Sequence, residues 1–179
     1  MPQFRNPFSA KLDENITFDR AFNASRILTF VYSASVLVYV VVAAALVQFV
    51  PVARMGFVGF PEATYGNLLI LASAAALLIL AAVLLVAPRF TSAEALLARK
   101  KIETIDKLGY ELLRAHSTVV AFITTIAILG LMLFLFNGHL LHMIPFAILS
   151  ILLQLYNLPR KEAWEEAKAL FEKQKVMQG

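Results

Sequence analysis

Charged residues are missing from three long stretches of this sequence, and no other feature constrains the fold as strongly. The stretches run from Ile27 to Ala53, from Ala63 to Pro88 and from Ala115 to Pro159. Overall, 60% of the residues are hydrophobic and 16% are charged, whereas soluble domains are typically about half apolar and about a quarter charged. A helix that crosses a bilayer needs about 20 mostly apolar residues. The chain is therefore predicted to be an all-α integral membrane protein.

The third stretch is long enough for two crossing helices. Asn137-Gly138 lies near its centre and predicts a turn, because both residues tolerate positive φ. We therefore predict four transmembrane helices arranged as two hairpins. The expected spans are 27–50, 67–87, 117–136 and 140–156, within a transmembrane domain of residues 27–156. An N-terminal segment (1–26) that ends in a short interfacial helix precedes this domain, and a tail (157–179) follows it.

The positions of the basic residues predict the orientation in the membrane. Of the 16 lysines and arginines, all but Arg54 fall in residues 1–26, 88–116 or 157–179. Because cytoplasmic segments carry the excess of basic residues, both termini are predicted to be cytoplasmic, and no nucleic-acid partner is expected. The expected location is the cytoplasmic membrane of a prokaryote. This is an assumption based on the charge bias and on a first span too long for a cleaved signal.

Two cytoplasmic segments show the apolar periodicity of amphipathic helices. The loop of residues 88–116 opens with a capping-box pattern at Thr91, and no proline follows before Pro145, which allows one helix from about 92 to 136 with Gly109 as its weakest point. The tail forms a second amphipathic helix around Trp164. Their apolar faces need a partner, which is either another part of the same chain or another protein.

The predicted spans contain no charged residue, although an ionisable residue inside a membrane usually marks a transport or proton-relay site. The sequence also lacks cysteine and the short motifs typical of known catalytic and phosphate-binding sites. We therefore expect neither an enzymatic activity nor a cofactor.

The histidines beyond the Asn-Gly turn are the weak candidates for a metal site. His139 and His142 lie three residues apart, and Glu62 is the acid predicted on the same side of the membrane. A closed zinc site takes four ligands, so two histidines and one distant acid are too few. The sequence favours interfacial histidines next to a turn, with no metal bound.

Several uncharged polar residues lie inside the predicted spans. We single out Ser33, Ser73, Thr124, Thr125 and Gln154. In spans, such side chains mostly bond to their own helix or to a neighbour, and Gln154 in particular is expected to bond to another helix. The alternative is that the hydroxyls line a pathway.

Residues 123–132, ITTIAILGLM, resemble the carboxylate-bearing helix of subunit c of rotor-ring ATP synthases, whose pattern is close to A-E-A-L-A-I-Y-G-L. The resemblance covers about ten residues. Thr124 stands where that family has its proton-binding acid. The resemblance therefore implies a packing helix with small residues and no rotor function.

The leading functional hypothesis is a non-catalytic accessory or structural subunit. It would pack through its alanine-rich faces and cytoplasmic helices onto copies of itself, as a homo-oligomer, or onto a larger membrane complex. One alternative is an oligomeric transport or channel component lined by Ser33, Ser73, Thr124 and Thr125. A second alternative is a cofactor- or metal-binding membrane subunit that uses His139 and His142.

Overall fold

A computed structural model describes residues 16–49, 62–99 and 102–178, and every regular element in these ranges is helical. The helices are α1 (Phe18–Phe49), α2 (Glu62–Ala81), α3 (Ala87–Thr91), α4 (Ala93–Arg99), α5 (Ile105–Asn137), α6 (Leu140–Tyr156) and α7 (Lys161–Gln178). A π-helical segment, Ala82–Val86, joins α2 to α3. The predicted all-α class is confirmed for this part of the chain.

Three helical segments are long and apolar enough to cross a membrane: Phe18–Phe49, Thr64–Arg89 and Ile105–Asn137. Leu140–Tyr156 and Lys161–Met177 are long and apolar enough only when taken together, and the angle between them is 46°. Counting this bent pair as one broken span gives a fourth. The chain therefore has the helices of an integral membrane protein, with three to four candidate spans among the described residues.

The turn predicted at Asn137-Gly138 is confirmed. Helix α5 ends at Asn137, and Gly138 adopts a left-handed conformation with φ 70°. Its N–H donates to the carbonyl of Phe134 at 2.7 Å, which satisfies a carbonyl that the end of α5 leaves without a helical partner. Helix α6 then begins at Leu140 and returns along α5.

The single helix expected from 92 to 136 is wrong in its first part, because α4 ends at Arg99 and α5 begins at Ile105. Thr104 has extended backbone angles, and its side chain accepts a hydrogen bond from the N–H of Lys107 at 3.2 Å. A capping threonine thus starts a new helix. Gly109 is not a weak point either. A Cβ there would lie 2.9 Å from the Cα of Phe18, so the glycine allows α1 and α5 to approach closely.

The capping box predicted at Thr91 is wrong, because α4 is capped by the next residue alone. Ser92 caps α4 by accepting from the N–H of Ala95 at 3.3 Å. The hydroxyl of Thr91 instead donates to the carbonyl of Ala87, one turn earlier in α3, at 2.9 Å.

Apolar residues of α4 and α7 pack against other helices of the same chain. Trp164 of α7 packs against Phe18 and Phe22 of α1, with ring centroids 5.2 and 5.4 Å apart. Further along α7, Ala167 and Phe171 are buried in a cluster with α4 and the start of α5. We call this assembly the helical platform: α4, α7 and the first turns of α1 and α5. Of the two possible partners, the same chain supplies these contacts.

Helices α1, α5 and α6 form a three-helix bundle in which each contacts the other two. Its interior includes Val36 and Ala43 of α1 and Phe134 of α5, all fully buried. At Gly130 a Cβ would lie 2.7 Å from the Cβ of Phe146, so α5 and α6 are in close contact there. Helix α2 packs mainly against α5, and its buried residues share an apolar cluster with α5 and α6.

Candidate functional site

A column of hydroxyl side chains runs along the buried face of α1. Ser25 donates to the carbonyl of Ala21 at 2.9 Å, and Thr29 lies 3.0 Å from the carbonyl of Ser25. Ser33 follows four residues later. Residues four apart share one helix face, so the three side chains point towards α5 and α6. This column is the α1 side of the polar network inside the bundle.

Gln154 of α6 joins all three helices of the bundle. Its Oε1 accepts from the hydroxyl of Ser33 on α1 at 2.6 Å, and its Nε2 donates to Oγ1 of Thr124 on α5 at 3.0 Å. Thr124 donates its own proton to the carbonyl of Val120 at 2.9 Å. Gln154 is fully buried. An amide in this position is costly without partners, and here each end of the amide has one.

A second polar contact between α5 and α6 lies one turn away. Ser150 of α6 donates to the carbonyl of Ile123 at 3.2 Å and is itself fully buried. In the described part of the chain, no buried side-chain nitrogen or oxygen lacks a hydrogen-bond partner. Of these polar side chains, Ser33, Gln154 and Ser150 donate hydrogen bonds between helices.

His116 connects this network to the platform end of the bundle. Its Nε2 lies 2.8 Å from Oγ1 of Thr29. Thr29 has one hydroxyl proton to give. If Thr29 donates that proton to the carbonyl of Ser25, Nε2 must carry a proton and donate to Thr29. If Thr29 donates it to Nε2 instead, the ring proton sits on Nδ1. Either arrangement links α5 to α1.

The histidines beyond the turn meet a residue that the sequence reasoning missed. The hydroxyl of Tyr65 on α2 lies 2.6 Å from Nδ1 of His142, and Tyr65 is only 6% exposed. The ring of His139 stands edge-on to that of His142, with centroids 5.6 Å apart. Glu62 is the first residue of α2, but its side chain lies outside the described residues. Among the described side chains, no three His, Cys, Asp or Glu residues are placed to hold a metal ion.

The four hydroxyls proposed to line a pathway have different surroundings. Ser33 and Thr124 meet through Gln154 inside the bundle. Thr125 is directed back to the carbonyl of Ala121 in its own helix, 3.5 Å away. Ser73 lies on α2, outside the bundle of α1, α5 and α6. A pathway lined by all four would require a different arrangement of helices.

Ser25, Thr29 and Asp106 were not predicted as bonding residues. The spacing of four between Ser25, Thr29 and Ser33 does indicate a polar face on α1. Asp106 gave no such signal, yet its Oδ1 accepts from the N–H of Phe18 at 2.9 Å and caps α1 from a residue distant in sequence. A carboxylate at a helix N-terminus is favoured by the helix dipole.

Comparisons of the chain with protein-family models, with curated proteins and with solved structures gave no match.

Proposed function

We propose that this chain spans a prokaryotic cytoplasmic membrane four times, with both termini in the cytoplasm. The charge distribution supports this topology, because the basic residues other than Arg54 fall into three segments that four spans place on one side. The helical platform then lies at the cytoplasmic surface, and His139 and His142 lie at the outer surface. The short helix α6 counts as a span of its own, starting after the turn at Gly138.

We further propose that the protein is a non-catalytic structural or accessory subunit of a membrane assembly. The observation that carries this proposal is the Gln154 bridge. The polar groups best placed for transport or chemistry bond to one another across α1, α5 and α6. Satisfied hydrogen bonds of this kind fix helices in a bilayer. A rigid bundle suits a structural subunit against which other membrane proteins pack.

The contact surface for a partner is an apolar groove between α2 and α5. The groove has a volume of about 300 Å³, and Ala72 and Ala75 form part of its α2 side. Small residues allow a second helix to approach closely in a membrane. The platform is a less suitable contact surface, because the apolar faces of α4 and α7 are already covered within the chain.

The first test is the native mass of the protein, extracted from its own membrane in mild detergent. An assembly larger than the monomer supports the proposal, and the co-migrating proteins identify the partner. A monomer that persists across several mild detergents and in native lipid discs contradicts it.

Because the chain lacks cysteine, single cysteines can locate the contact. Ala75→Cys lies in the groove, whereas Leu77→Cys lies on the opposite side of α2 and is the matched control, with Leu77 61% exposed. We expect crosslinking to a partner from Ala75→Cys and little from Leu77→Cys. Equal crosslinking from both positions, or none from Ala75→Cys, would reject the groove as the contact.

The same cysteine-free background tests the topology. Lys168→Cys on α7 should react with a membrane-impermeant thiol reagent only after cells are opened, since the tail is proposed to be cytoplasmic. His139→Cys should react from outside intact cells. Both side chains are exposed, so a failure to react reflects sidedness rather than burial. Labelling of both positions from the same side would refute the four-span topology.

A further inference from the structure

A cavity of about 250 Å³ lies where α6 ends and α7 begins. Its walls come from the end of α3, from α5, from the end of α6 and the connection after it, and from the first turn of α7. The volume is below the roughly 300–1,000 Å³ typical of sites for drug-sized molecules. The cavity therefore suits a headgroup-sized ligand better than a large organic cofactor.

The cavity lies at the boundary of the longest uncharged stretch of the chain. Arg160, which lines the cavity, is the first charged residue after this stretch. His116, which also lines it, is two residues beyond Arg114, the last charged residue before the stretch. Tyr156 and Trp164 also line the cavity, and both residue types are enriched where a membrane meets water. In a membrane, this cavity would lie at the depth of the lipid headgroups.

The lining divides into a polar and an apolar part. Arg160, Asn157, His116 and Thr91 form the polar part, and Leu112 and Val119 belong to the apolar part. None of the described residues that line the cavity is acidic. The acids next to lining residues in the sequence, Glu111, Glu162 and Glu165, do not line the cavity. A cationic rim beside an apolar wall matches a molecule with an anionic head and an apolar remainder.

Arginine is well suited to such a head. Its planar guanidinium presents several N–H donors in a geometry that fits phosphate oxygens, and it loses less on desolvation than an ammonium group does. Arg160 is exposed at the mouth of the cavity, so its guanidinium is accessible. Basic pockets between helices on the cytoplasmic side of a membrane are a recognised kind of anionic-lipid site.

We propose that this cavity binds the phosphate group of an anionic membrane phospholipid, with Arg160 as the cation that selects it. The inference rests on the membrane placement proposed above and goes beyond it by assigning a ligand class. A lipid bound here touches α5, α6 and α7 at once, and His116 links the cavity wall to Thr29 of α1. The lipid would therefore connect the platform to the bundle.

Trp164 provides a direct probe, because it lines the cavity and is the single tryptophan of the chain. The protein in mild detergent is titrated with phosphatidylglycerol or phosphatidylcholine whose chains are brominated near the glycerol end, since bromine quenches nearby tryptophan. We expect the anionic lipid to reach half-maximal quenching at a concentration about fivefold lower than the zwitterionic lipid. This is the affinity ratio expected from one cation near an anionic membrane surface.

The matched variants remove one positive charge inside or outside the cavity. Arg160→Gln should abolish the difference between the two lipids, and Arg160→Lys should retain part of it. Lys173→Gln is the control, because Lys173 is exposed on α7 almost three turns beyond Ala163 and does not line the cavity. It should leave the difference unchanged. Circular dichroism and gel filtration confirm that each variant is folded.

Three results would overturn the proposal: equal quenching by both lipids in the unmodified protein, an equal loss of preference in Arg160→Gln and Lys173→Gln, and a saturable response to inorganic phosphate without a lipid preference. The last result would assign the cavity to a free anion. Carbonate extraction of membranes tests insertion separately, so loss of the lipid site can be distinguished from failure of the membrane placement.

Discussion

Helices α2 and α6 both pack against α5, but they are held there in different ways. Helix α6 is joined to α5 by the Gln154–Thr124 and Ser150–Ile123 hydrogen bonds and by the close contact at Gly130. Helix α2 contributes Ala76 and Ile79 to an apolar cluster with α5 and α6, and Tyr65 is joined by a hydrogen bond to His142 of α6.

This difference has consequences in a bilayer. Lipid chains are as apolar as leucine, so an apolar contact between helices gains little over a contact with lipid. Close packing and hydrogen bonds then decide which helices stay together. We therefore expect α1, α5 and α6 to behave as one rigid unit and α2 to be the helix most easily displaced. The predictions below test this contrast, and unfolding can be followed in mixed micelles by circular dichroism.

The largest effect is expected from Phe134→Ala. Phe134 is fully buried between α1 and α6, and removing its ring leaves a cavity that costs about 3–5 kcal/mol in protein cores. Leu77→Ala on α2 is the control, because Leu77 is 61% exposed, and it should change the free energy of unfolding by less than about 0.5 kcal/mol. Similar losses in the two variants would mean that α2 is packed as tightly as the bundle.

Gly130→Ala should cause the next largest loss of stability. The added methyl group would lie 2.7 Å from the Cβ of Phe146 and 3.1 Å from the carbonyl oxygen of Met143, and overpacking of this kind costs about 1–3 kcal/mol. The same substitution at Gly66 on α2 meets no atom within 4 Å. It should stabilise the protein by up to about 1 kcal/mol, since alanine is the better helix former. A stable Gly130→Ala variant would show that α5 and α6 can separate without loss.

The polar bridge is best measured by a double-mutant cycle with Gln154→Leu and Ser33→Ala. The coupling free energy should be about 0.6 kcal/mol and at most about 1.7 kcal/mol, the range found for hydrogen bonds between membrane helices. The cycle isolates the Ser33–Gln154 contact because each single variant removes it. A coupling indistinguishable from zero would show that the bridge contributes nothing to holding α1 against α6.

The smallest effect on stability is expected from Tyr65→Phe. It removes the hydrogen bond between Tyr65 and His142 at 2.6 Å, at a cost of about 0.6 kcal/mol. Amide exchange should become faster in α2 and stay unchanged in α6, because α2 loses its polar attachment. Tyr156→Phe is the control, since Tyr156 is 66% exposed and should leave both exchange rates unchanged. Faster exchange throughout the bundle would show that α2 belongs to the rigid unit.

The sequence predicted features that depend on local chemistry. Gly138 tolerates positive φ, so the turn after α5 could be placed to the residue. The apolar faces of the platform helices were visible as periodicity, and the position of Gln154 inside an apolar span indicated that it needed a partner. The break before Ile105 was not predicted. Thr104 acts as a cap only where the chain has already left the preceding helix, and the local sequence does not show that it has.

The sequence by itself determined that the chain has helices long and apolar enough for a membrane, because the absence of charge over a span is a property of composition and order. The tertiary structure decided which side chains meet. Tyr65 with His142, Thr29 with His116, and Gln154 with both Ser33 and Thr124 are pairs separated by 30 to 121 positions. No local pattern encodes such pairs, since they depend on the rotation of each helix about its axis and on its depth against its neighbours. Close packing at Gly109 and Gly130 helps to set that arrangement.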